Sequence, residues 1–172
     1  MNVPVKPLVI TDFSDFSHQQ WRIINDGVMG GLSEGQFQIN ANGHALFLGS
    51  VSLENNGGFT MVKNHKRLNL TGFSDVSLRV RGDGKRYKFR FQTGKNSEQI
   101  HKWSYQHPFT APKGRWDDIV LPLNGFVPVY RGRKMTDVPS LDPSAIYNYA
   151  FLISDKQKGE FRLEIESIMA LP

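Results

Sequence analysis

The chain has 172 residues, enough for one domain that hides roughly 70% of the surface its unfolded form would expose. Hydrophobic residues at 39% and charged residues at 22% make an ordinary soluble globular mixture, and the absence of cysteine excludes disulfide frameworks, zinc–thiolate sites, iron–sulfur clusters and cysteine nucleophiles. The formal net charge of +5 is mild, and by itself asks only that polyanion binding be tested.

The first residues, MNVPVKPLVI, have neither the long apolar run of a signal peptide nor the Arg-rich amphipathic pattern of a transit peptide. No stretch approaches the ~18 apolar residues of a membrane span, and the expected location is the cytoplasm. Period-2 alternation then recurs along the whole chain, while helical periodicity is nearly missing. Leu8 to Ile10 is a short apolar run. Trp21 to Ile24 is extended, and Asn25-Asp26-Gly27 with Gly30-Gly31 makes a loop of residues with special backbone demands. Gln36 to Ile39 and Ala45 to Leu53 flank a hairpin loop at Asn40 to Gly43. Phe59 to Val62 follows the pair Gly57-Gly58.

In the middle of the chain Val76, Leu78 and Val80 alternate with Ser77, Arg79 and Arg81. Gly82-Asp83-Gly84 reads as a hairpin turn, and no helix follows it, so it is not a nucleotide loop. Tyr87, Phe89 and Phe91 then alternate with Lys88, Arg90 and Gln92. Trp103 to Thr110 and Trp116 to Leu121 are further strands. Asp142-Pro143 starts a single helical turn, and Tyr147 to Ile153 is a nearly continuous apolar run, expected as a central strand. Phe161 to Ile168 alternates until a slip at Ser167. About eight to eleven short strands predict an all-β sandwich or barrel, with residues 1–172 as one domain. The long connection from Leu123 to Ser144 predicts a crossover between sheets, as in a jelly roll.

With WRIINDGVMGG at Trp21 to Gly31, the sequence resembles the complex I intermediate-associated protein 30 family. LENNGGF at Leu53 to Phe59, LRVRGDGKRY at Leu78 to Tyr87, LPLNGFVPVYRGR at Leu121 to Arg133 and ISDKQKGEFRLEI at Ile153 to Ile165 are also similar to that family's motifs, in the same order. The resemblance covers about Phe13 to Met169. It implies a galactose-binding-like jelly-roll β-sandwich and a chaperone-like, non-catalytic role, since eukaryotic members assist assembly of respiratory complex I by holding membrane-arm intermediates. The sequence departs from those members in having no N-terminal extension that would carry a mitochondrial targeting sequence, and a free-standing, bacterial version of the domain is expected. Related plant proteins that act on chloroplast transcripts keep RNA contact in view.

The expected binding surface is a loop cluster made of Trp21, Asn25, Asp26, Met29, Glu54, Asn55, Tyr130, Arg131 and Arg133. Trp21, Met29 and Tyr130 would anchor a partner protein, a respiratory complex subunit or intermediate, and the arginines would orient it. A bidentate pair between Asp26 and Arg131 or Arg133 would hold the loops together. The first alternative is a carbohydrate platform from Trp103 and Tyr105, in the row His101, Trp103, Tyr105, His107. The second is RNA binding by a basic hairpin stripe, Arg79, Arg81, Lys88 and Arg90. No cofactor is expected, with a structural calcium on Asp26, Glu54, Asn55 and Asp155 as the lesser option. There is no Gly-x-Ser-x-Gly, no phosphate-binding loop and no His-Glu-x-x-His, and no catalytic residue is assigned.

Overall fold

Strict alternation commits one side of a strand to the core, and strands of this kind stabilise each other only when two sheets close over a shared interior. The computed structural model describes residues 6–14, 21–26, 31–56 and 58–172, and within them the chain forms thirteen strands. They are β1 (Leu8–Thr11), β2 (Trp21–Asn25), β3 (Glu34–Ile39), β4 (Ala45–Val51), β5 (Thr60–Asn64), β6 (Asp75–Arg81), β7 (Arg86–Thr93), β8 (Ser104–Thr110), β9 (Asp117–Pro122), β10 (Val127–Tyr130), β11 (Arg133–Lys134), β12 (Ile146–Ile153) and β13 (Gly159–Leu171). Short 3-10 turns occupy 54–56, 123–125 and 143–145, and the described residues contain no α-helix. The last of these turns is the one expected at Asp142-Pro143: the Asp142 carboxylate accepts from the amide and hydroxyl of Ser144.

Two antiparallel sheets pack face to face. One has the order β3-β4-β13-β6-β9, with β1 added against the second half of β13. The other has the order β11-β10-β8-β7-β12-β5-β2. The fold is therefore the all-β sandwich that the alternation predicts. Its interior is aromatic: Phe47, Tyr87, Phe89, Phe91, Tyr105, Tyr149 and Phe151 are all buried, and Phe89 alone lies within 5–6.5 Å, centroid to centroid, of Phe91, Phe126, Tyr149 and Phe151. β12 is central as expected, between β7 and β5.

One topological expectation changes. Gly82-Asp83-Gly84 is a corner between sheets, because β6 pairs with β13 and β9 while β7 pairs with β8 and β12. Asp83 fixes this corner: its carboxylate accepts from the Lys85 amide, the Tyr87 hydroxyl and the Arg162 amide. Burial, and then the Asp83 charge, push the Tyr87 phenol far up, so it remains a neutral donor. The stretch from Leu123 to Ser144 makes the expected crossover, with strands of its own. It crosses between sheets at once, through the turn at 123–125, and then forms the β10–β11 hairpin before returning to β12.

Candidate functional site

Asp26 is the best-partnered polar side chain of the Trp21–Gly31 motif. It is 1% exposed, and its carboxylate accepts four hydrogen bonds: Ser33 amide at 3.0 Å, Ser33 hydroxyl at 2.6 Å, Gly58 amide at 2.6 Å and Phe59 amide at 3.3 Å. The Ser33 hydroxyl oxygen also accepts from the Ser52 amide. One carboxylate thus ties β2 and the lead-in to β5, in one sheet, to the lead-in to β3 and the end of β4, in the other. Burial is the largest influence on its titration and pushes it up, but the bonds from the Ser33 hydroxyl and the Gly58, Ser33 and Phe59 amides outweigh it and hold the carboxyl below its usual range. The backbone is shaped to the same end: the Gly31 amide bonds the Asp26 carbonyl at 2.8 Å, and a Cβ on Gly31 would run into the Asp26 carboxyl.

These contacts overturn the expected loop cluster. The donors that Asp26 meets are Ser33, Gly58 and Phe59, and neither Arg131 nor Arg133 is among them. The register places those arginines at the other edge and the other end of the seven-stranded sheet, beyond β10, roughly 24 Å away at five strand spacings. Arg131 lies over the Tyr130 ring instead, at 5.3 Å. Trp21 is buried, stacked on Phe37 at 4.7 Å, so it anchors the two sheets to each other and not to a partner. Met29 lies outside the described residues. Asn25 sits on β2, and Glu54 and Asn55 are exposed on a 3-10 turn whose Asn55 has φ 54°.

The calcium set is not assembled either. Asp26 is buried and already accepts four protein donors, Asp155 pairs with Lys88 at 3.0 Å, and no group of three His, Asp or Glu among the described residues is placed to hold a metal. The sugar platform dissolves for a packing reason. Tyr105 is 1% exposed with its hydroxyl on the Pro139 carbonyl, and Trp103 packs against the core beneath the His101 ring, 4.4 Å away and nearly parallel.

The basic stripe divides between the two outer faces, because β6 and β7 belong to different sheets. On the six-stranded face Arg79 bonds Glu166 at 2.6 Å and reaches Asp118 at 3.4 Å. Arg81 bonds Glu164 at 2.9 Å and lies over the Trp116 ring. Charges on that face are matched. On the seven-stranded face the outward residues include Arg22 and Ile24 of β2, Met61 and Lys63 of β5, Asn148, Ala150 and Leu152 of β12, and Lys88, Arg90 and Gln92 of β7. Met61, Ala150 and Leu152 form a buried apolar cluster separate from the core, with Ile24 and Phe59 packed on it. Around it, among the described residues, Arg90 bonds only the Gln106 side-chain oxygen and Lys63 only that of Gln92, and the Gln92 amide reaches the His101 carbonyl.

The positive field of this face reaches beyond its own strands. His65, just after β5, is held below the usual imidazole range first by desolvation and then by the charges of Lys63 and Arg22. In an NMR titration His65 is therefore expected to protonate at lower pH than a free imidazole, and to move upward in Lys63→Met. No movement on that substitution would remove Lys63 from the field.

With the geometry in place, comparison with known proteins identifies the lineage. A family model described as Complex I intermediate-associated protein 30 matches residues 11–165, nearly the whole chain. The chain belongs to that family. An uncharacterized protein of Schizosaccharomyces pombe is 28% identical over 92% of this chain and 80% of its own length. The mouse mitochondrial complex I intermediate-associated protein 30 is 26% identical over 87% of this chain, which spans only 51% of that relative. Among solved structures, the family 11 carbohydrate-binding module of Clostridium thermocellum, in complex with a mixed-linked tetrasaccharide, superposes with a TM-score of 0.73 at 14% identity, covering 98% of this chain and 97% of its own. An agarase superposes at 0.62 and 12% identity, over 96% of this chain and 24% of the enzyme. At these identities the likeness is one of fold: the family is built on the β-sandwich of carbohydrate-binding modules.

The surface that the sequence did not reveal is the seven-stranded face. Its cations sit on β2, β5 and β7, far apart in the chain, and come together only through strand order and register.

Proposed function

We propose that this chain is a non-catalytic binding module that holds a partner protein on the outer face of the seven-stranded sheet, the partner being a protein of respiratory complex I or one of its assembly intermediates. The observation behind this reading is the apolar cluster of Met61, Ala150 and Leu152, which packs outside the sandwich core and is bordered by Ile24, Phe59 and a ring of polar and basic groups. Ile24 and Phe59, each part-exposed over that buried cluster, give the face an apolar centre inside a polar border, the usual anatomy of a protein-binding patch. The family supports the assembly role, and the buried Asp26, pinned by four donors, supports a scaffold use for the motif that looked most like a reactive loop. A sugar-binding reading has the fold likeness behind it, without the Trp103–Tyr105 platform.

A photo-crosslinking residue tests this directly. Placed at Ile24 or Gln92, it should capture a complex I protein in respiring cells that express the chain, whereas the same residue at Leu48 or Ser77, on the six-stranded face, should not. Capture confined to the six-stranded face would overturn the assignment. Retention on neutral glucans, lost on Ile24 substitution, would move the reading to carbohydrate.

A further inference from the structure

We propose that the row Arg22, Lys63 and Arg90 is a carboxylate-binding site, and that its occupant is an acidic segment of a partner polypeptide carrying an apolar side chain beside its carboxylates. The proposal rests on the seven-stranded face being the binding surface, and adds the chemistry of what binds there.

The register puts the three cations in one line across the sheet. Arg22 is paired with Lys63, Lys63 with Ala150, Ala150 with Arg90, and Arg90 with Gln106. Like charges directly opposite each other on neighbouring strands destabilise a sheet, so Arg22 against Lys63 is an unfavourable pair. The small Ala150 between Lys63 and Arg90 lets those two side chains converge, and it is 1% exposed beneath its neighbours. No carboxylate of a described residue bonds any of the three cations. Their acceptors are neutral amide oxygens: Gln106 takes two bonds from Arg90, and Gln92 takes one from Lys63 and one from Asn148. A guanidinium has five N–H donors and an ammonium three, so both retain donors to offer.

The opposite face shows what this sequence does with arginines that serve only the fold. Arg79, Arg81 and Arg162 each meet a carboxylate within 4 Å. The unmatched row is particular to one face. Its electrostatics agree with its geometry: burial lowers Arg90 to about 10, and burial followed by repulsion from Arg90 lowers Lys63. The fold thus holds these charges at a disadvantage, which an incoming anion would reverse.

The neighbouring row selects the kind of anion. Two residues further along each strand, about 6.7 Å away, lie Ile24, Met61 and Leu152, paired in the same order. Met61 and Leu152 are buried beneath Ile24, whose part-exposed aliphatic side chain next to the cations suits a polypeptide that alternates acidic and apolar residues. Single-stranded nucleic acid and sugar rings would instead use open aromatic stacking surfaces, and the rings near this row are engaged within the chain: Phe59 packs on the apolar cluster and Tyr147 of β12 lies under the Arg67 guanidinium.

The test uses the whole chain and four probes: a labelled peptide of alternating Glu and Leu, poly-uridylate, polygalacturonate and a neutral mixed-linked glucan. The peptide should bind in a salt-sensitive way and weaken at least about ten-fold in Arg22→Gln with Lys63→Met. Arg79→Gln with Arg81→Gln should leave it unchanged. Lys63→Met should unfold at an equal or higher urea concentration than the parent, because it removes an unmatched charge. A marked fall would make Lys63 structural and overturn the proposal. Tighter binding of poly-uridylate or polygalacturonate than of the peptide would also overturn it, as would peptide binding that ignores the substitutions. If the crosslink from Gln92 survives in Arg22→Gln with Lys63→Met, the carboxylate site falls while the binding face stands. If the parent gives no crosslink from Ile24 or Gln92, the binding face falls as well.

Discussion

Replacing Asp26 with alanine is expected to remove about 3–4 kcal/mol of folding stability, read as a fall in the urea midpoint at unchanged slope. The residue accepts from four donors and joins both sheets, so its loss leaves amides of Ser33, Gly58 and Phe59 without an acceptor and frees Ser33 from its place under Ser52. Asp26→Asn should also destabilise, because its NH2 group turns two donors toward donors. The pH dependence has a definite sign. The folded carboxyl titrates below its unfolded counterpart, so its contribution is fully present above about pH 4 and is lost as the pH falls through the folded value. The gap between parent and Asp26→Asn should therefore narrow in acid. A loss under about 1 kcal/mol, the net worth of one ordinary hydrogen bond, would mean that solvent can take over the role of this carboxylate.

Gly49→Ala is the second large effect, at about 3 kcal/mol from overpacking. Gly49 faces Gly35 across the β3–β4 pair, and a Cβ there would run into the Glu34 carbonyl and lie 2.8 Å from the Gly35 Cα. A Cβ on Gly35 would in turn meet the Thr60 methyl and lie 3.4 Å from the Ile23 Cγ2, across in the other sheet. Gly49 marks where β3 lies too close to β4 for a side chain, and Gly35 where the two sheets approach too closely. Gly43→Ala serves as the contrast, since its φ of 80° costs about 1–2 kcal/mol of strain while nothing lies within 4 Å of the added methyl. A loss at position 49 no greater than that at position 43 in urea unfolding would show that the β3–β4 contact makes room for a methyl group at little cost.

Much of the fold was legible because alternation reports burial directly. Phe89 and Phe91 are inward in the structure as in the pattern, and β12 reads as a continuous apolar run because Ala150 and Leu152 are buried on its outer side too. β10 and β11, of four and two residues, are too short to carry a period. The β6–β7 corner misled for a specific reason. Two strands that face one core have the same alternation whether they are neighbours in a sheet or opposed across the sandwich, and Gly82-Asp83-Gly84 suits either connection. Asp26 was recognisable as a pin, but its true donors are mostly backbone amides, which have no signature in sequence. The cationic row was invisible: Arg22, Lys63 and Arg90 become neighbours only once strand order and register are known.

The separation of charge between the two outer faces has a kinetic consequence. On the six-stranded side the arginines are neutralised at contact distance, so their fields cancel a short way into solvent. On the seven-stranded side the fields of Arg22, Lys63 and Arg90 are not cancelled in this way, and the molecule carries an electrical asymmetry across its thin dimension. An approaching acidic surface would feel a torque before it touches, and would turn the chain so that the cationic side leads. Association would then be quickened by orientation during diffusion. Added salt, by shortening the reach of that torque, would slow the encounter more than it hastens release.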